Sequence, residues 1–183
     1  MTEGVTGRLA AIVVPLLIAG SSVSGCGYAL AGRGITLPAH IRIIAVPQFV
    51  NESNEPELDV RLTDAVRQEL QSRGRFTINP DTAGAHAVLT ATIRQHTPSP
   101  AAFNESGQVS RYRIVVVADV TFRDEVKNED LFRQSVRVTE EYDLGGSLAP
   151  ADLAALFRQD RNAIERLSRT FARDVVTSIL EQF

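Results

Sequence analysis

The sequence predicts an α+β domain, with two helices packed on one face of a four-stranded mixed sheet in the order β-α-β-β-β-α. Three observations carry this. A short aliphatic run at residues 41–47 is followed by a segment of helical period ending near Leu70. Three long stretches between Ala87 and Tyr142 alternate apolar and polar residues with period two. From Leu153 to Ile179 the pattern returns to helical period. Consecutive strands flanked by helices, rather than strict β/α alternation, place the helices on one side of a largely antiparallel sheet.

Ile41-Arg-Ile-Ile-Ala-Val-Pro47 is almost continuously apolar, the pattern of a strand covered on both faces. Pro47 ends it or falls where one ladder donor is unnecessary. Asn51-Glu-Ser-Asn-Glu-Pro56 reads as a turn, with Pro56 suited to the first turn of a helix. Leu58, Leu62, Ala65/Val66 and Leu70 then recur every three or four residues, and Gly74 is a stop signal.

In the first long strand, Ala87, Leu89, Ala91 and Ile93 share one face while Val88, Thr90, Thr92 and Arg94 share the other. In the second, Tyr112, Ile114, Val116, Ala118, Val120 and Phe122 oppose Arg113, Val115, Val117, Asp119, Thr121 and Arg123. In the third, Phe132, Val136, Val138 and Tyr142 oppose Leu131, Arg133, Ser135, Arg137 and Thr139. Such alternation means one buried face and one solvated face. Residues 97–108, with two prolines and a glycine, are expected to form a long hairpin loop carrying Phe103 near its tip. Such a loop either probes a partner or packs locally. Residues 124–130 are a charged hairpin, Gly145-Gly146 breaks the chain, and Pro150 opens the final helix. About 30 helical residues span about 45 Å, and a strand of about 12 residues spans about 40 Å, so this helix can cover the sheet along its length.

The N-terminus carries an address. An apolar run of about 12 residues is too short to cross a hydrocarbon core, which takes about 20, and is the length of a signal-peptide h-region. It leads to Val23-Ser24-Gly25-Cys26, which fits a bacterial lipobox, and Cys26 is the only cysteine. The expected organisation is a signal peptide at 1–25, an acylated tether at 26–40 and one domain at 41–183. Gly27 stands where an aspartate would favour inner-membrane retention in enteric bacteria, so the expected location is the outer membrane, reached through a lipid anchor at Cys26.

Composition excludes several classes. The formal net charge is −3, without the basic surplus of a non-specific nucleic-acid binder. With Cys26 acylated, no thiol remains for a disulfide or a thiolate metal site. His40, His86 and His96 have no ligand partner at helical or hairpin spacing. Glu140 and Glu141 are adjacent on a strand and point to opposite faces. No nucleophile elbow or phosphate-cradling glycine loop is present. No cofactor, metal or catalytic residue is expected.

Cys26-Gly-Tyr-Ala-Leu-Ala-Gly32, Leu37-Pro38 and Ile43-Ile-Ala-Val-Pro-Gln-Phe-Val-Asn51 resemble the start of the LPS-assembly lipoprotein LptE family. The resemblance continues through Leu62-Thr-Asp-Ala65, Gly107-Gln-Val-Ser-Arg-Tyr112 and the terminal helix. It implies two helices on a four-stranded sheet and a non-enzymatic role: plugging an outer-membrane β-barrel translocon, LptD, and helping it insert lipopolysaccharide into the outer leaflet. Family members have been proposed to contact that lipid through basic loop residues. Here residues 97–108 carry Glu105 and no cation, and residues 144–149 have none. The candidates for contact with lipopolysaccharide or the partner are therefore Arg94, Arg113, Arg133 and Arg137 on the uncovered face, together with Phe103. The plainer alternative is that these arginines are solvated sheet residues, some facing Asp119 or Glu141 across strands. The first half of the chain also resembles CsgG and LpoB-like envelope lipoproteins, which build secretion pores or activate peptidoglycan synthases. Those folds usually continue with more α/β alternation than this chain has.

Overall fold

The structure is a computed structural model that describes residues 37–144 and 153–181, with 153–159 described by backbone alone. The expectations for the signal peptide, for Cys26 and most of the tether, and for Gly145-Gly146 and Pro150 lie outside these residues. The elements are β1 (Ile43–Ala45), β2 (Val50–Asn51), α1 (Leu58–Ser72), β3 (Thr77–Asn79), β4 (Ala87–Phe103), β5 (Val109–Asp124), β6 (Glu129–Asp143) and α2 (Leu153–Glu181).

The two helices lie on a mixed sheet, as the periodicity predicts, but the sheet has six strands rather than four. Its order is β3-β1-β4-β5-β6, with β2 also paired to β4. β2 and β3 contain two and three residues, too few for alternation to be visible. β1 runs parallel to both β3 and β4, with Ile43 opposite Thr77 and Ile44 opposite Ala87. β4, β5 and β6 form an antiparallel meander.

Residues 97–108 are not a long loop. β4 runs on to Phe103, and only residues 104–108 make the turn. Asn104 organises it: its side-chain oxygen accepts the N–H groups of Ser106 (3.0 Å) and Gln108 (2.9 Å), while Gly107 takes the left-handed conformation at φ 75°. Pro98 and Pro100 are compatible with this strand because of their phase. Leu144 N–H bonds to Ser110 C=O directly opposite, so even-numbered residues of β5 spend their backbone groups on β6. Pro98 and Pro100 face Ile114 and Tyr112, and no ladder bond is asked of their nitrogens. Those nitrogens lie on the outer edge of β4, past the Thr92–Ile93 stretch that β2 covers.

A β-bulge at Arg94 shifts the phase of β4. Ile93 faces Ala118 and Gln95 faces Val117, leaving Arg94 as the extra residue. Before the bulge, odd-numbered residues face the helices. After it, His96 faces them, while Gln95, Thr97 and Ser99 join the open face opposite Val117, Val115 and Arg113.

One face of the sheet and both helices enclose the core. Leu58, Leu62, Val66 and Leu70 of α1 and Ala163, Ile164, Leu167, Phe171, Val175 and Ile179 of α2 are buried against Leu89, Ile93, Ile114, Val116 and Phe122. Each large side chain so buried contributes about 1.5–3 kcal/mol. α1 ends at Ser72, and Gly74, at φ 67°, turns the chain toward β3. Two polar side chains join elements. The Thr63 hydroxyl, in α1, accepts the Phe49 N–H at 3.0 Å and donates to the Asp59 carbonyl at 2.6 Å. His86 Nδ1 accepts the N–H groups of Arg42 (3.1 Å) and Ile43 (3.3 Å), which places the proton of the neutral ring on Nε2. Ahead of β1, Leu37 is buried with the core, and His40, at the end of the segment read as a tether, bonds to Asp124.

Candidate interaction face

The sheet face turned away from the helices contains three buried apolar residues outside the core cluster, Ala45, Val88 and Val115. Around them lies a lattice of cross-strand ion pairs. Arg94, pushed out by the bulge, donates Nε–H to Asp119 at 2.8 Å and another N–H to Glu52, beyond β2, at 2.5 Å. The bonds to Asp119 and Glu52 push its pKa above the ordinary arginine value. Asp119 is held below the usual carboxylate range by Arg94 and then by Ser135. Arg113 bonds to Glu141 at 2.8 Å, and Arg111 bonds to Asp143 at 2.7 Å. Arg133 (2.5 Å) and Arg123 (2.9 Å) share Asp130 and lower its pKa. Arg137 is exposed and makes no ion pair among the described residues.

These positions do not converge on one cluster. Arg113 and Arg137 line a common open groove of about 590 Å³ with Gln95, Thr97, Ser99 and Glu141. Arg94 lies toward β2, and Arg133 sits beside the β5–β6 hairpin. Phe103 closes β4 at the opposite end of the sheet and is 63% exposed. Arg111 and Arg123 belong to the same lattice without having been singled out in the sequence. The signal for them was phase: both share the period of Arg113, and the acids Asp143 and Asp130 stand across the ladder from them. Exposed pairs of this kind add little stability. They fix side-chain positions and neutralise most of the face, leaving Arg137, without an ion pair among the described residues, beside hydroxyl and amide groups. Among the described residues, no group of three or more His, Cys, Asp or Glu side chains could hold a metal ion, and no helix is long and apolar enough to cross a membrane.

Two helices on one side of a mixed sheet, with a broad ion-paired face on the other, define a two-layer α+β domain that offers a surface rather than a pocket. Solved structures share this fold. A hypothetical protein of Chlamydia trachomatis matches with TM-score 0.53 and 11% identity, covering 76% of this chain and 95% of that one. A protein of Xanthomonas campestris gives 0.52 and 13%, covering 79% and 90%. An uncharacterized lipoprotein B of Nitrosomonas europaea gives 0.50 and 15%, covering 85% and 96%. No curated protein sequence matches the chain. The family model described as LptE, lipopolysaccharide-assembly, matches residues 41–179. The chain belongs to the LptE family, a non-catalytic family of lipopolysaccharide-assembly lipoproteins.

Proposed function

We propose that this chain is an outer-membrane lipoprotein, acylated at Cys26, that plugs and helps assemble an LptD-type β-barrel translocon and so supports lipopolysaccharide transport into the outer leaflet. The observation that carries the reading is the family match across residues 41–179. The open sheet face supports it physically, because its charges are largely satisfied within the domain and suit the polar interior of a large barrel. Arg113 and Arg137 line a groove in which a lipid phosphate can be met by guanidinium groups, a pairing that is often bidentate. Phe103, exposed beside the β4–β5 turn, is an apolar contact for the barrel wall. The acyl chains hold the domain at the membrane, and the fold supplies the recognition.

The test is affinity purification of the tagged full-length chain from outer membranes. A large β-barrel should be recovered in near-equimolar amount. Recovery of a peptidoglycan synthase or a secretion-pore subunit, with no barrel, would replace this reading by the CsgG/LpoB-like one.

A further inference from the structure

Among the described residues, the two most exposed large apolar side chains are Phe103 and Val126, and they stand at opposite ends of the meander. Phe103 closes β4. Val126 lies in the hairpin of residues 125–128, at the end of the sheet where the chain enters the domain. There Leu37 is buried with the core and His40 bonds to Asp124, which fixes the entering chain against the hairpin. The other oxygen of Asp124 accepts the N–H groups of Val126 and Lys127, so the tip is a pinned turn. It presents Val126 at 62% exposure and Lys127 at 54%. The carboxylates around them are paired: Glu125 lies 3.8 Å and Asp130 2.9 Å from Arg123, and Glu129 lies 3.6 Å from Lys127.

We propose that this hairpin tip rests on the zwitterionic phospholipid surface of the membrane that holds the acyl anchor, with Val126 in the headgroup boundary and Lys127 against lipid phosphate. The proposal rests on the reading of Cys26 as an acylated anchor. Ten residues, 27–36, separate Cys26 from Leu37, so the contour between the acylated residue and the pinned end is at most about 40 Å. One valine and one lysine bind a bilayer too weakly to hold a free domain there. On a short tether the same contact becomes intramolecular, at an effective concentration in the millimolar range. The lysine stem lies along the apolar boundary while its ammonium reaches phosphate. Glu125 and Glu129, at the same turn, suit the ammonium of a zwitterionic headgroup and disfavour a strongly anionic surface. The contact is compatible with a barrel. β5 has 16 residues and spans about 50 Å, whereas the apolar band of an outer-membrane barrel is about 25 Å tall. A domain that enters the lumen with its Phe103 end leaves the hairpin end outside, at the periplasmic rim.

The test uses the full acylated chain purified from membranes, with its acyl mass read by mass spectrometry. It is reconstituted in phosphatidylethanolamine–phosphatidylcholine vesicles carrying a nitroxide at the shallow end of the acyl chains. Acylation leaves Cys26 without a thiol, so a fluorophore on Glu125→Cys or on Phe103→Cys is the only label. Position 125 should be quenched several-fold more than position 103. Adding Val126→Asp and Lys127→Glu together, both at exposed sites of the turn, should bring the quenching at 125 down to the level of position 103. An acylated, vesicle-bound chain whose position 125 is quenched no more than position 103 overturns the proposal. So does quenching that the two added substitutions leave intact. A chain without acyl mass that stays in the supernatant removes the anchor reading, and this contact with it.

Discussion

His40 Nε2 stands 2.6 Å from Asp124 Oδ2, and the Asp124 side chain is wholly buried. Its other oxygen accepts the N–H groups of Val126 (2.9 Å) and Lys127 (3.0 Å). One carboxylate thus ties the chain entering β1 to the hairpin between β5 and β6. Burial pushes the Asp124 pKa up, but the Lys127 N–H, His40 and the Val126 N–H outweigh it, and the group lies below its ordinary 3.8. A depressed pKa stabilises the fold fully above the unfolded value and loses that contribution as pH falls through the folded one. Asp124→Ala should therefore cost about 1–3 kcal/mol at neutral pH, because two backbone donors lose their acceptor. Asp124→Asn keeps that acceptor and should flatten the loss of stability below about pH 4. Urea unfolding at a series of pH values measures both.

Thr63 and Phe171 test two different kinds of joint. Thr63→Val removes the acceptor for the Phe49 N–H with little change of shape, and is expected to cost about 1–3 kcal/mol. Phe171, wholly buried at the centre of α2's stripe, should lose about 3–5 kcal/mol on substitution by alanine. Val60→Ala, at an exposed site on α1, should leave the denaturation midpoint where it is.

Reversing Arg113 and Arg133 to glutamate should weaken binding to lipopolysaccharide-containing vesicles, while like-charge opposition to Glu141 and Asp130 lowers the melting temperature only slightly. Their ion pairs are exposed and contribute little to folding. Unchanged vesicle binding would remove both residues from the contact surface.

Phe103→Ser should leave stability unchanged and reduce barrel recovery in the affinity experiment, since this side chain is exposed at the end of the domain. Cys26→Ala, exported by another signal, should keep the partner but leave the membrane fraction. Cell fractionation followed by pull-down separates the two effects.

The buried faces of α1, α2, β5 and β6 were legible in the sequence because each places enough residues on one period for the pattern to stand out. Leu58, Leu62, Val66 and Leu70 are one such set, and Ile114 to Phe122 another. β2 and β3 were hidden by brevity: three residues such as Thr77-Ile78-Asn79 carry no period, and their pairing depends on where α1 delivers the chain. The far half of β4 was hidden by Pro98 and Pro100, whose usual meaning is a loop. Only the pairing geometry shows that their missing donors face away from β5. The arginine face was legible as a face. Which arginine is already engaged was not, because it depends on register: Arg94 meets Asp119 through the bulge, Arg113 meets Glu141 across the ladder, and Arg137 stands across the ladder from the apolar Val117.

The bulge at Arg94 also sets what kinds of change this domain can absorb. It acts as a frame marker: inside and outside are counted one way before it and the opposite way after it. Deleting that one residue would leave the first half of β4 in place. Beyond it, Gln95 would follow Ile93 directly, so Gln95, Thr97 and Ser99 would stay on the open face and His96 on the helix side. A residue lost from a regular stretch of β4 would instead exchange the two faces from that point on. Changes of length between β4 and β5 are therefore confined to the turn at residues 104–108, where extra residues alter only the tip that carries the hairpin.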